Sequence, residues 1–126
     1  MEFRMKEHGF QGEFNFGTLD VSGDDKYGFR PYQLLAASVA VCSGGVLKKI
    51  LLKKRIKFDD ITIHVDIKRN AGGAQEITDI HLDFIIIGGN ASKEKLAKSL
   101  EVARKNCPIV QSVHNSINIT ESIEQK

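Results

Sequence analysis

Cysteine is scarce in this chain, two in 126 residues, and neither lies in a CxxC pair, which excludes a zinc ribbon and a thioredoxin-type motif. HxxxH and HxH are also absent, so His64, His81 and His114 read as strand or loop histidines satisfied by a hydrogen bond or water. No metal or cofactor is expected. Excess charge of either sign is lacking: the formal net charge is +2, too small a field to favour nucleic acid or a membrane surface as partner. The longest apolar run, residues 34–47, falls short of the roughly 20 residues a membrane span needs, and serine and glycine interrupt it. The N-terminus shows no basic flank followed by an apolar stretch, so no signal peptide is read and a cytoplasmic protein is expected. With no linker, solenoid repeat or low-complexity segment, residues 1–126 are expected to form one domain.

What is present is a chain with 41% hydrophobic and 27% charged residues, the composition of a globular protein. Alternation over residues 1–7 and 13–21, with a turn at 8–12, predicts a β-hairpin. Pro31 stands where a helix begins, and the helix is predicted over residues 31–55 with almost nothing charged before Lys48. Its first half is therefore expected to be buried all round. Six cations follow among residues 48–57; Lys53, Lys54 and Arg55 complement the helix dipole and read as a solvated helix end rather than an anion site. Residues 61–67 and 76–87 alternate as a second hairpin closed through Asn70, Ala71, Gly72 and Gly73. Ser92 caps a further helix with Leu96, Leu100 and Ala103 on one stripe, and Pro108 ends it, leaving Cys107 at the entrance of a short turn or helix. Residues 116–123 alternate as a final strand.

The order β-β-α-β-β-α-β implies an α+β fold with an antiparallel or mixed sheet. One small sheet covers only one side of a helix that is apolar all round. Two chains are therefore expected to associate so that the helices carrying Cys42 are enclosed between two sheets, a homodimer with sites at the subunit boundary.

The two thiols carry what chemistry there is. A cysteine reacts as thiolate, and its free pKa near 8.5 must be lowered by a cation, a helix N-terminus or a metal. Cys42 lies about three turns beyond Pro31, too far for its own helix end to act, so it needs a neighbouring cation or polar donor. Arg30 and Arg4 are the candidates, each otherwise a surface arginine. Cys42 also reads as a small buried hydrophobe. Cys107, preceding Pro108, can serve as an N-cap whose sulfur faces free amides, a position that lowers a thiol pKa. Gly44 and Gly45 imply close approach: an open pocket beside the sulfur, or tight helix packing at a dimer centre.

The pattern Arg30, Pro31, Tyr32, Gln33, Leu34, Leu35, Ala36, Ala37, then Cys42, then Asn106-Cys107-Pro108, resembles the OsmC/Ohr family of osmotically inducible and organic-hydroperoxide-resistance proteins. The resemblance spans nearly the whole chain. It implies an intertwined homodimer with long central helices and two interface sites, with Cys42 as the peroxidatic cysteine and Cys107 as the resolving one. An N-terminal arginine, Arg30 or Arg4, would stabilise the thiolate. The implied activity is antioxidant: reduction of organic hydroperoxides through a Cys42 sulfenic acid and a Cys42–Cys107 disulfide, restored by a dithiol reductant. The chain departs from the family where hydroperoxide-resistance members carry glutamate directly after the helix proline; here Tyr32 and Gln33 follow Pro31. The alternatives are a non-catalytic, stress-related or ligand-binding protein on the same fold, and a structural protein with two inert thiols.

Overall fold

Strict alternation over two long segments decides the main sheet. Ile61, Ile63, Val65 and Ile67 share one face with Ile80, Leu82, Phe84 and Ile86, because the antiparallel register sets Ile63 opposite Phe84 and Val65 opposite Leu82. A computed structural model describes all 126 residues. The chain forms two compact units, residues 1–37 and 38–126.

The first unit carries an antiparallel meander of β1 (Phe3–Met5), β2 (Phe10–Glu13) and β3 (Thr18–Val21), in that order. Its turns differ from the sequence expectation. The strand lies at residues 10–13, and the turns fall where the Lys6 amide donates to the Gly9 carbonyl at 2.7 Å and the Phe14 amide to Gly17 at 2.9 Å. The turn at residues 14–17 wins over the apolar alternation around it, since nothing buries Phe16, which is fully exposed.

Helix α1 (Pro31–Lys53) starts in the first unit and runs through the second. Proline suits its first position, and the Arg30 carbonyl accepts from the Leu34 amide at 3.0 Å. The helix stops in a Schellman arrangement: the Ile56 amide donates to Leu51 at 2.9 Å and the Arg55 amide to Leu52 at 3.0 Å. Arg55 occupies the left-handed position with φ 59°, where glycine is usual, at a cost of about 1 kcal/mol. In length and composition α1 could cross a membrane. Within this fold it is a core helix, with Val39, Leu47 and Leu51 completely buried. Each such side chain contributes about 1.5–3 kcal/mol.

Within a single chain the first half of α1 is covered on one side only. Leu35, Val41 and Leu52 are exposed, Val41 to 70%, and Ala37, Ser38 and Gly45 lie open with them at helical spacing. One small sheet cannot surround a helix, so one chain buries only part of this apolar surface.

The second unit contains β4 (Asp60–Arg69), β5 (Ile77–Ile87) and β6 (Asn118–Gln125), ordered β4-β5-β6. The sheet is mixed: β4 and β5 are antiparallel, β5 and β6 parallel. A parallel neighbour requires a long crossover, and α2 (Lys93–Asn106) with the short α3 (Pro108–Val113) supplies it. Ser92 caps α2 by accepting from the Lys95 amide at 3.2 Å. The architecture is the α+β arrangement expected, with one additional N-terminal strand and α3 as the short helix after Cys107.

Candidate functional site

Cys42 lies in the middle of α1, partly exposed, between the open Val41 and the buried Ser43. The glycines that follow have separate reasons. A Cβ on Gly44 would sit 2.5 Å from Ile63 Cδ1, so its absence lets α1 lie against the sheet. A Cβ on Gly45 would meet nothing within 4 Å, and Gly45 belongs to the open face with Val41.

Cys107 ends α2 and begins α3. Pro108 cannot continue the hydrogen-bond ladder of α2, so Cys107 takes an extended conformation, φ −85° and ψ 110°, and caps α3. Its sulfur accepts from the Val110 amide at 3.5 Å, as an N-cap should. The side chain is completely buried.

The fold brings the two thiols together. Both are free, and the Cys42 side chain is near enough to hydrogen-bond with Cys107 and to oppose its ionisation. Burial is the largest influence and pushes the Cys107 thiol up; the Cys42 sulfur pushes the same way, while the Val110 and Ile109 amides pull it down. The expectation that the cap position would lower this thiol is therefore overturned, because desolvation outweighs two amide donors on a short helix.

Arg104 anchors Cys107 from behind. Its guanidinium donates to the Ile119 carbonyl at 2.8 Å and meets Glu121 Oε1 at 3.2 Å, tying the last turn of α2 to β6. Its own carbonyl accepts from the Cys107 amide at 3.5 Å and from Gln111 Nε2 at 3.1 Å. Glu121 is nearly buried, and its Oε2 has no partner. Burial pushes its carboxyl up, against the pull of Arg104 and, more weakly, His81. Sequence reasoning missed this pair. The available signal was a charge in the apolar phase of the last strand, Ile119, Glu121, Ile123.

The two arginine candidates differ. Arg4 lies out on β1, its Nε bonded to Glu2 at 2.8 Å. Arg30 is more enclosed: its guanidinium lies 5.0 Å from the Tyr32 ring centroid, and its buried Nε has no hydrogen bond, with Asp25 at 4.0 Å. At the position where a glutamate was noted as missing, an aromatic face meets the arginine instead. Of the histidines, His81 is held by Thr120 at 2.7 Å and Ser122 at 3.2 Å.

Comparison with known proteins gives a consistent picture. The sequence pattern of the family described as OsmC-like protein matches residues 23–122. No curated protein sequence matches. Among solved structures, a hypothetical protein from Aquifex aeolicus VF5 is 25% identical with a TM-score of 0.88, covering 99% of this chain and 93% of that one. The OsmC-like protein from Mycoplasma pneumoniae is 15% identical with a TM-score of 0.86, covering 98% and 94%. An organic hydroperoxide resistance protein OsmC from Legionella pneumophila is 15% identical with a TM-score of 0.76, covering 98% and 93%. At 15% identity these last two share the fold with this chain.

Proposed function

Since this chain belongs to the OsmC-like protein family, we propose that it is a cysteine-based peroxidase that reduces organic hydroperoxides, with Cys42 attacking and Cys107 resolving. The observation that carries the proposal is the meeting of the two free thiols, one partly exposed on a helix and the other sealed at a helix cap.

The Cys42 thiolate attacks the O–O bond, giving a Cys42 sulfenic acid and an alkoxide that leaves as the alcohol once protonated. Cys107 then attacks the Cys42 sulfur, forming the disulfide and expelling hydroxide, which leaves as water. A dithiol reductant restores both thiols and is itself oxidised to a disulfide. The electrostatics order these events. While Cys42 is reduced it holds the Cys107 proton in place. Once Cys42 is a neutral sulfenic acid that influence is gone, leaving burial to hold the Cys107 thiol up and the Val110 and Ile109 amides to offset part of it.

The thiolate needs a cation, and Arg30 is the better candidate. Arg4 is already committed to Glu2 in open water, whereas Arg30 keeps unused donor capacity. The open apolar face of α1 argues for a homodimer, and apolar surroundings argue for organic over inorganic peroxide. A cytoplasmic setting would supply the dithiol. Tyr32 favours the second reading, a non-catalytic OsmC-like protein that binds a small ligand or serves in stress, because a neutral ring cannot supply the negative charge that would pair with the arginine.

Mass spectrometry after limiting cumene hydroperoxide separates the two. Peroxidase action predicts loss of two hydrogens through an intrachain disulfide, and no such change in Cys42→Ser. An unchanged wild-type mass supports the non-catalytic reading.

A further inference from the structure

The segment after α1 and the start of α2 flank a cleft of about 490 Å³ that neither thiol lines and whose lining includes Lys54, Arg55, Lys57, Ser92 and Lys95. Four cations from two segments converge there, and no carboxylate lines it. None of the four has an acidic partner within the 4.0 Å of an ion pair. On the exposed face of α2 the same residue types are neutralised: Lys98 pairs with Glu94 at 3.4 Å and Lys105 with Glu101 at 3.6 Å. A chain with a net charge of only +2 thus gathers four positive charges around one concavity, where they repel one another unless an anion is bound.

The side chains are held for such a role. Lys54 Nζ donates to the buried Ser99 Oγ at 3.1 Å, which fixes the ammonium and leaves its other donors free. Arg55 keeps its guanidinium at a left-handed position suited to glycine. Gly89 passes so close to Lys57 that a Cβ would meet its carbonyl, which draws the start of α2 against the basic segment. A second cavity of about 600 Å³ adjoins the first, sharing Arg55, Ile56 and Lys57 and adding Leu52 and Phe58, with Asp59 on its wall.

We propose that the basic cleft binds the phosphate of a small phosphate ester whose apolar or aromatic part lies beside Ile56 and Phe58. A dianionic phosphate with three acceptor oxygens matches four cations better than a single carboxylate does. Lys54 and Arg55, read from sequence together with Lys53 as a solvated helix end, gain this role only because the fold adds Lys95 and Ser92 from a distant segment.

The test is an amide NMR titration of the full chain with phenyl phosphate and with inorganic phosphate, in wild type, Arg55→Gly and Lys57→Gln. Saturable shifts confined to residues 54–58 and 90–95 are expected, with phenyl phosphate the tighter ligand and each variant about tenfold weaker. Arg55→Gly relieves the left-handed backbone, so its melting temperature should not fall and weaker binding cannot be blamed on unfolding. Its peroxide-dependent mass change should equal that of wild type, which keeps this site separate from the thiols. Shifts that never saturate and spread to Lys98 and Lys105 would overturn the proposal. So would an Arg55→Gly protein that binds as tightly as wild type, or binding to vesicles containing phosphatidic acid with no response to phenyl phosphate.

Discussion

The sealed state of Cys107 gives the sharpest test of the thiol pair. The perturbation is alkylation with iodoacetamide at pH 7, applied to Cys42→Ser and Cys107→Ser so that each remaining thiol reports alone. An unfolded cysteine with pKa near 8.5 is about 3% thiolate at that pH. The Cys107 thiol is pushed above its ordinary value chiefly by burial, which persists when Cys42 is replaced, and every unit of rise reduces the thiolate tenfold. Access is a second barrier. With the side chain wholly buried, a reagent must wait for the α2–α3 junction to open, and an opening free energy of roughly 3 kcal/mol slows labelling about 150-fold. Together these predict that native Cys107 reacts at least about 100-fold more slowly than the same thiol in urea. Cys42, partly exposed, has no such access barrier. The readout is a quenched time course followed by peptide mass spectrometry. If native Cys107 labelled within tenfold of its unfolded rate, or faster than Cys42, the assignment of an accessible attacking thiol and a sealed resolving one would fail.

Two further expectations follow from named groups. Burial raises the Glu121 carboxyl above 4.5, so between its unfolded and folded values the native state holds more protons and stability declines as pH rises through that window. Glu121→Gln should remove up to one proton from the linkage, at most about 1.4 kcal/mol per pH unit. Urea midpoints against pH check this, and identical slopes in both proteins would count against it. The lowered carboxyls of Glu76 and Asp79 act in the opposite sense at more acid pH, and comparing Glu121→Gln with wild type cancels them. Val41→Glu places a charge on a residue 70% exposed in the single chain, so a lone chain should lose no more than about 0.5 kcal/mol. A dimer built on that face should dissociate, and sedimentation velocity of the two proteins decides; wild-type protein that sediments as a monomer ends the dimer proposal.

Local chemistry was enough to identify much of this protein. Periodicity of two marked the hairpin of β4 and β5, Pro31 and Pro108 marked helix boundaries, Ser92 marked a cap, and the spacing of Cys42 and Cys107 within those elements carried the family resemblance. The caps and helix boundaries are legible because each depends on residues within one or two turns of one another, and the cysteine spacing because it is counted along the chain. The N-terminal turns were misplaced because Phe14 and Phe16 keep an apolar alternation that the backbone around Gly17 does not follow.

Tertiary structure alone decided the rest. The direction of the Cys107 shift depended on how completely its neighbours exclude water, which no adjacent residue encodes. The Arg104–Glu121 anchor joins groups on different elements, and the basic cleft needs Lys95 folded against Lys54 and Arg55. That one small sheet leaves a face of α1 uncovered follows from the sequence; which residues form that face, Leu35, Val41 and Leu52 among them, follows from the fold. Burial and charge convergence are sums over neighbours distant along the chain, so the linear order of residues names the participants while the fold determines the field each one feels.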